Sequence, residues 1–275
     1  MEIEDGGGGG TMSSHWEKRV AMTELMNGVA EKAGMYLSAI TLAYFDDSGW
    51  YQVNDGRAEA LPWGNGEGCA FATQKCSGWS SRYLCTQEGL QGCTADMRAV
   101  AMCNYRSTVV PDKPYFQYFG GASGGGASEI PDYCPYYVAI TSRDCANANG
   151  VAFFVYGEQP GAGARCFQGT YQRATSTLAP AVHGGCLQTA CDPLTNSIVV
   201  TLTGTPATVV RCPSAGGVVD LATVAGSGYV GTLNCPRVVT LCTGDPCAMN
   251  DCSHHGTCNP ADGTCACYTG YYGAD

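Results

Sequence analysis

Gly6-Gly7-Gly8-Gly9-Gly10-Thr11-Met12-Ser13-Ser14-His15-Trp16 is followed shortly by Glu24-Leu25-Met26-Asn27-Gly28. Five consecutive glycines hold neither helix nor strand by themselves, so the run reads as a loop that delivers His15. The chain has four histidines, His15, His183, His254 and His255, and none are four residues apart. Taken alone, His15 reads as an ordinary loop or surface histidine, and Met26 as an ordinary core methionine.

Outward from that stretch, composition bounds the answer. Of the 275 residues, 45% are hydrophobic and 14% charged, a balance that supports one large folded domain or two smaller ones. The net charge is -10, and the 14 Lys and Arg are scattered, so no basic stripe for nucleic acid or an anionic membrane is present. Eighteen cysteines are too many for a reducing compartment unless they bind metal. No C-x-x-C pair exists, and Cys265-Ala266-Cys267 is the tightest spacing. A disulfide framework in an extracellular setting is expected. Met1-Glu2-Ile3-Glu4-Asp5 has no basic or apolar leader, and no apolar run reaches the roughly 20 residues of a membrane span. Cysteine content and the missing leader disagree, and the reading expects the natural chain to start further upstream.

Residues 1–68 hold no cysteine. Glu17–Leu25 predicts a helical turn or two. A better helix is expected from about Gly34 to Asp47, with Leu37, Ile40 and Tyr44 on one face and Gly49 as C-cap. From Cys69 the helical period vanishes. Strands are expected at Val138–Thr141, Val151–Tyr156, Ser197–Thr203, Ala207–Arg211 and Arg237–Leu241. Gly120–Gly126 reads as a flexible surface insert.

Catalytic zinc generally takes three protein ligands and leaves a position for water. In His-Glu-x-x-His peptidases two ligands and the base share one helix. That helix is nowhere in this chain. Yet Gly-x-Gly-Thr-x-Ser-Ser-His-Trp, with Met26 eleven residues after His15, closely resembles leishmanolysin, the surface metalloprotease family of trypanosomatids. Ala39–Tyr51, Pro62-Trp63-Gly64, Gly68-Cys69-Ala70-Phe71, Pro114–Phe119, Asp132-Tyr133-Cys134-Pro135 and Ala164-Arg165-Cys166-Phe167 extend the resemblance over about residues 1–245.

The resemblance implies an α+β chain in three parts. Residues 1–68 would be the C-terminal part of a metzincin catalytic domain, with His15 the third Zn2+ ligand and Met26 the Met-turn residue. Residues 69–246 would be a disulfide-rich, mainly β domain. Residues 247–275 would be a truncated EGF-like module. Cysteines from Cys69 to Cys242 number 13, an odd count. Transferred by order, the family's pairing is Cys76–Cys134, Cys85–Cys103, Cys93–Cys166, Cys145–Cys186, Cys191–Cys242 and Cys212–Cys235. Cys69 is left without a partner in this chain; a buried free thiol is the other reading. EGF-like spacing implies Cys247–Cys258 and Cys252–Cys265, with Cys267 unpaired. His254 and His255 then read as exposed loop residues of that module and His183 as a loop residue. No calcium pattern precedes Cys247.

The implied function is zinc-dependent endoproteolysis, with protein or peptide substrates, at the cell surface or outside the cell. No catalytic residue of the His-Glu-x-x-His helix is in this chain, which is therefore expected to be inactive alone. The alternative is a non-catalytic adhesion or binding module that engages host or extracellular proteins.

Overall fold

The structure is a computed structural model and describes residues 3–242 except 33, 66, 81 and 193, together with the backbone of two short strands near the C-terminus. Its elements in chain order are α1 (Ala39–Asp47), α2 (Cys69–Thr73), β1 (Gln91–Cys93), β2 (Ala99–Cys103), β3 (Tyr105–Arg106), β4 (Gly125–Gly126), β5 (Tyr137–Asp144), β6 (Ala164–Gly169) and β7 (Gln172–Arg173). Then come β8 (His183–Asp192), β9 (Ser197–Leu202), β10 (Thr208–Cys212), β11 (Gly217–Asp220), β12 (Tyr229–Val230), β13 (Thr232–Cys235), α3 (Val238–Leu241), β14 (Gly256–Cys258) and β15 (Cys265–Cys267). The chain is mostly β, with few helices.

The largest sheet has six strands in the order β10-β9-β8-β6-β13-β11, all adjacent pairs antiparallel. Alternation explains why it forms. In β10, Thr208, Val210 and Cys212 are buried while Val209 and Arg211 face solvent, the period of a half-covered strand. Ile198, Val200 and Leu202 of β9 join Phe167, Leu187 and Leu233 in the core on the covered face. A three-stranded sheet, β1-β2-β5, packs beside it. The two sheets meet where a Cβ on Gly184 would fall 2.1 Å from Gly92 O, an approach only glycine permits. The Cys93–Cys166 disulfide ties the sheets at the same place.

Residues 3–68 are joined to this body through aromatic rings. Trp63 lies edge-on to Tyr83, Trp79 and Phe71, and its Nε1 donates to Arg19 O at 3.0 Å.

Several sequence expectations need correction. The helix expected from Gly34 begins at Ala39. Gly34 has φ of +140°, Tyr36 pairs with Glu24, and Leu37 N and Ser38 N are claimed by the Glu59 and Glu24 carboxylates. Of its expected apolar face, Ile40 and Tyr44 are exposed, and Thr41 is the buried residue. Glu17–Leu25 does supply a turn, closed by Ala21 N to Glu17 O, and a second, closed by Glu24 N to Ala21 O, brings Glu24 into a bridge. Val151–Tyr156 is no strand: Phe154–Tyr156 is a 3-10 turn ended by left-handed Gly157, and Arg173 holds Phe154 O. Arg237–Leu241 is likewise helical at α3, where Pro236 precedes the turn and Cys242, fixed to Cys191, closes it by donating to Val238 O. Within Gly120–Gly126, β4 is buried against the Tyr133 and Cys134 carbonyls, a close approach that requires glycine.

Candidate metal centre

His15 sits on the middle one of three extended segments. Glu4 N donates to His15 O at 2.9 Å, and Ile3 faces Trp16 in an antiparallel bridge. On the other side Trp16 N donates to Met26 O at 3.0 Å, and Trp16 faces Asn27 in a parallel bridge. The imidazole and the Met26 thioether therefore sit on adjacent segments. Both line a pocket of about 90 Å3 with Ile3, Trp16 and Tyr44.

The ring's tautomer follows from its neighbours. His15 Nδ1 lies 2.9 Å from Thr11 O and 3.1 Å from Ser14 Oγ. A carbonyl only accepts, so the shorter contact requires the proton on Nδ1. Nε2 then carries the free lone pair, the form in which an imidazole ligates a metal while its other nitrogen is held by an oxygen.

Met26 is held by a carboxylate. Glu24 is fully buried. Its Oε2 accepts from Met26 N, and its Oε1 accepts from Ser38 N, Ser38 Oγ and Thr41 Oγ1 at 3.1, 2.7 and 2.6 Å. Thr41 Oγ1 in turn receives Trp16 Nε1 at 2.8 Å. One side chain thus joins the Met26 turn, the start of α1 and the residue after His15. Below them Lys18 Nζ pairs with Glu31 at 2.6 Å, and Tyr136 OH donates to Glu31 at 3.1 Å, which ties the patch to the disulfide-rich body.

Glu4, Asp5 and Glu17 place carboxylate oxygens within 4.8 Å of one another. Backbone donors already occupy two of the three: Gly6 N and Lys18 N on Glu4, and Arg19 N on Glu17. Burial pushes the Glu17 carboxyl up to about 8, with the Asp132 and Glu4 charges adding to the shift. His15 belongs to no group of three donors among the described residues. An imidazole of that tautomer fits one zinc ligand; a catalytic site takes three. Among the described residues His15 stands as a single donor, and no catalytic step follows from it alone.

The other singled-out residues fall as follows. Six disulfides are present: Cys76–Cys134, Cys85–Cys103, Cys93–Cys166, Cys145–Cys186, Cys191–Cys242 and Cys212–Cys235. These are the six pairs carried over from the resemblance. Cys69 is exposed and forms no disulfide among the described residues. Cys247, Cys252, His254 and His255 lie outside the described residues. The antiparallel pairing of β14 with β15 sets the Cys258 backbone opposite Cys265 and Gly256 opposite Cys267; the EGF-like pairings themselves lie outside what is described. His183 is not a loop residue: it opens β8, is buried, and stacks on Tyr156 with centroids 3.6 Å apart. No described helix is long and apolar enough to cross a membrane.

Two contributors were missed in the sequence. Thr11 acts through its carbonyl, which no side-chain pattern announces. Glu24 stood in the Glu-Leu-Met triplet, where its charge inside an otherwise buried run, Ala21-Met22-Thr23-Glu24, was an available signal.

Comparison with known proteins completes the description. A family profile described as leishmanolysin matches residues 1–249. Leishmanolysin of Leishmania tropica is 34% identical over 258 residues, covering 89% of this chain and 38% of that protein. Leishmanolysin of Leishmania donovani is 33% identical over 267 residues, covering 91% and 43%. A leishmanolysin-like peptidase of Drosophila melanogaster is 38% identical over 164 residues, covering 52% and 24%. The chain thus spans about 40% of the length of the two Leishmania relatives.

Proposed function

The chain belongs to the leishmanolysin family, and on that premise we propose that it contributes His15 and the Met26 turn to the zinc site of a metalloendopeptidase. The observation that carries this reading is the committed imidazole. Thr11 O accepts from Nδ1 at 2.9 Å between the heavy atoms, Nε2 is left to ligate, and the Met26 turn is pinned beside it by Glu24. Zinc in such a site supplies an activated water and polarises the scissile carbonyl. The part of this chain's residues is to hold one ligand at a fixed tautomer and orientation, and to wall the adjoining pocket with Trp16 and Tyr44.

Two further histidines and a general base would come from a His-Glu-x-x-His helix outside this sequence. Peptides or proteins would be the substrates, at the cell surface or outside the cell, where six disulfides persist.

The test joins this chain to the His-Glu-x-x-His-bearing part of a Leishmania leishmanolysin and follows zinc-dependent casein cleavage. The isolated 275-residue chain is expected to show none, the joined protein to cleave, and His15→Ala in the joined protein to fall to background. Full activity in the His15→Ala protein would exclude His15 as a ligand and favour the non-catalytic binding reading.

A further inference from the structure

Gly28 lies two residues past Met26, and its φ is outside the left-handed region, so its backbone tolerates any L-residue. Its surroundings do not. A Cβ built there would lie 2.2 Å from Thr11 Cγ2, 3.4 Å from Thr11 Cβ and 3.7 Å from His15 Cγ. A Cβ built on Gly7, at φ +77°, would also crowd Thr11, at 3.2 Å from its Cβ and 3.4 Å from its Cγ2. The Thr11 side chain thus fits where two glycines leave room, and its backbone is held at both ends. Thr11 N donates to Gly8 O at 2.9 Å, and Thr11 O receives His15 Nδ1 at 2.9 Å.

We infer that Gly28 is a positioning residue for His15: its missing side chain seats Thr11, and the seated Thr11 carbonyl holds the proton on Nδ1 and leaves Nε2 free. Chain and turn are thereby coupled, because the Met26 turn that lies beside the imidazole also carries the glycine that orients it. The importance of this coupling for metal rests on the zinc reading above; the tautomer itself does not. Substitution by Ala forces Thr11 outward, breaks the Thr11 O contact and lets Ser14 Oγ, which can donate, take Nδ1 as an acceptor. That exchange moves the proton to Nε2, the atom a metal needs bare.

The experiment reads the tautomer directly in the metal-free 275-residue chain, by long-range 1H–15N correlation of the imidazole at a pH where the ring is neutral. His15→Gln identifies the His15 signals. Native protein is expected to show His15 mainly as the Nδ1–H form, and Gly28→Ala mainly as the Nε2–H form. Thr11→Ser lacks Cγ2 but keeps the main-chain carbonyl. The double variant Gly28→Ala/Thr11→Ser should therefore recover the Nδ1–H form, while Thr11→Ser alone leaves it unchanged. A folded Gly28→Ala protein that retains Nδ1–H overturns the inference. So does a double variant that stays in the Nε2–H form, or one that fails to fold whenever Gly28→Ala fails. If Gly28→Ala alone fails to fold and the double variant folds with Nδ1–H, the steric coupling stands. Zinc plays no part in these readouts, so a failed cleavage test leaves them intact, and a Gly28→Ala protein that keeps Nδ1–H overturns the coupling while leaving His15 Nε2 available as a ligand.

Discussion

Glu24 and the Cys93–Cys166 disulfide hold their two regions together by unlike means. Residues 3–68 have no cysteine, and among the described residues they form isolated bridges and one nine-residue helix with Thr41 as its buried residue. Their interior is strongly polar for its size: Glu4, Glu17, Lys18, Glu24 and Asn27 are buried beside Trp16, Met22, Tyr36 and Trp63. Buried polar groups are costly unless paired, and here Glu24 collects four donors and Lys18 a carboxylate and two carbonyls. Residues 69–242 rest instead on an apolar sheet face and six covalent links. The lesson is one of placement. The region that carries His15 fixes atoms by directional hydrogen bonds, which set a tautomer; the other fixes chain paths by bonds that carry no protons.

The largest expected effect lies in the stapled region. Cys93→Ser/Cys166→Ser opens a loop of 73 residues, and about 4 kcal/mol of stability should disappear, seen as a lower midpoint in denaturant. The hydrogen-exchange protection of Trp16 and Met26 should be lost only with global unfolding. If those amides open first, the two regions are not held separately.

Glu24→Ala comes next. It strands several buried donors at once and should cost about 3 kcal/mol. The loss is local: exchange should rise at Met26 and Ser38, while β6, β8 and β9 stay protected. Equal loosening of the large sheet would erase the contrast drawn above.

Gly184→Ala should cost about 2 kcal/mol by overpacking the seam between the sheets. The expected signature is a lower melting temperature with unchanged exchange in residues 3–41. An unchanged melting temperature would mean the sheets can part freely at Gly92.

The smallest effects concern pH and have opposite signs. Burial holds His183 below its ordinary 6.5, so the unfolded chain takes the proton first as pH falls. Its contribution is fully present above 6.5 and is lost below it, and His183→Gln should remove that acid-side loss. Glu17 runs the other way. With its carboxyl raised from 4.5 to about 8, the folded state binds the extra proton, and stability rises as pH falls from 8 towards 4.5. Glu17→Gln should flatten that trend. Melting curves of each variant against the native protein between pH 5 and 8 separate the two, and a matching slope for both variants would contradict the assignment.

Legibility in the sequence followed how local each signal was. The strands β9 and β10 were visible because Ile198, Val200 and Leu202 alternate with half-buried residues, and Val210 and Cys212 with exposed ones. Val151–Tyr156 and Arg237–Leu241 misled because β-branched and aromatic runs were turned into short helices by Gly157 and by the Cys191–Cys242 link, neither of which is local propensity. The helix at α1 was found, but its start was misplaced because Glu24, distant in sequence, captures Ser38 N. His183 was misplaced because the adjacent Gly184-Gly185 signals a turn, whereas those glycines serve close packing against Gly92, Tyr171 and Glu158.

By itself the sequence determined the family, through ordered motifs from the glycine run to Ala164-Arg165-Cys166-Phe167, and with it the place of His15 and Met26 in the chain. It also determined the mainly β, disulfide-rich character of residues 69–242, since cysteine content and period-two alternation are local properties. Only the tertiary structure decided which nitrogen of His15 faces a carbonyl, what pins Met26 and what a side chain on Gly28 would meet. Those depend on a backbone carbonyl, a buried carboxylate and a Thr11 methyl 2.2 Å from where a Gly28 Cβ would stand, and each brings together atoms that sequence spacing leaves apart.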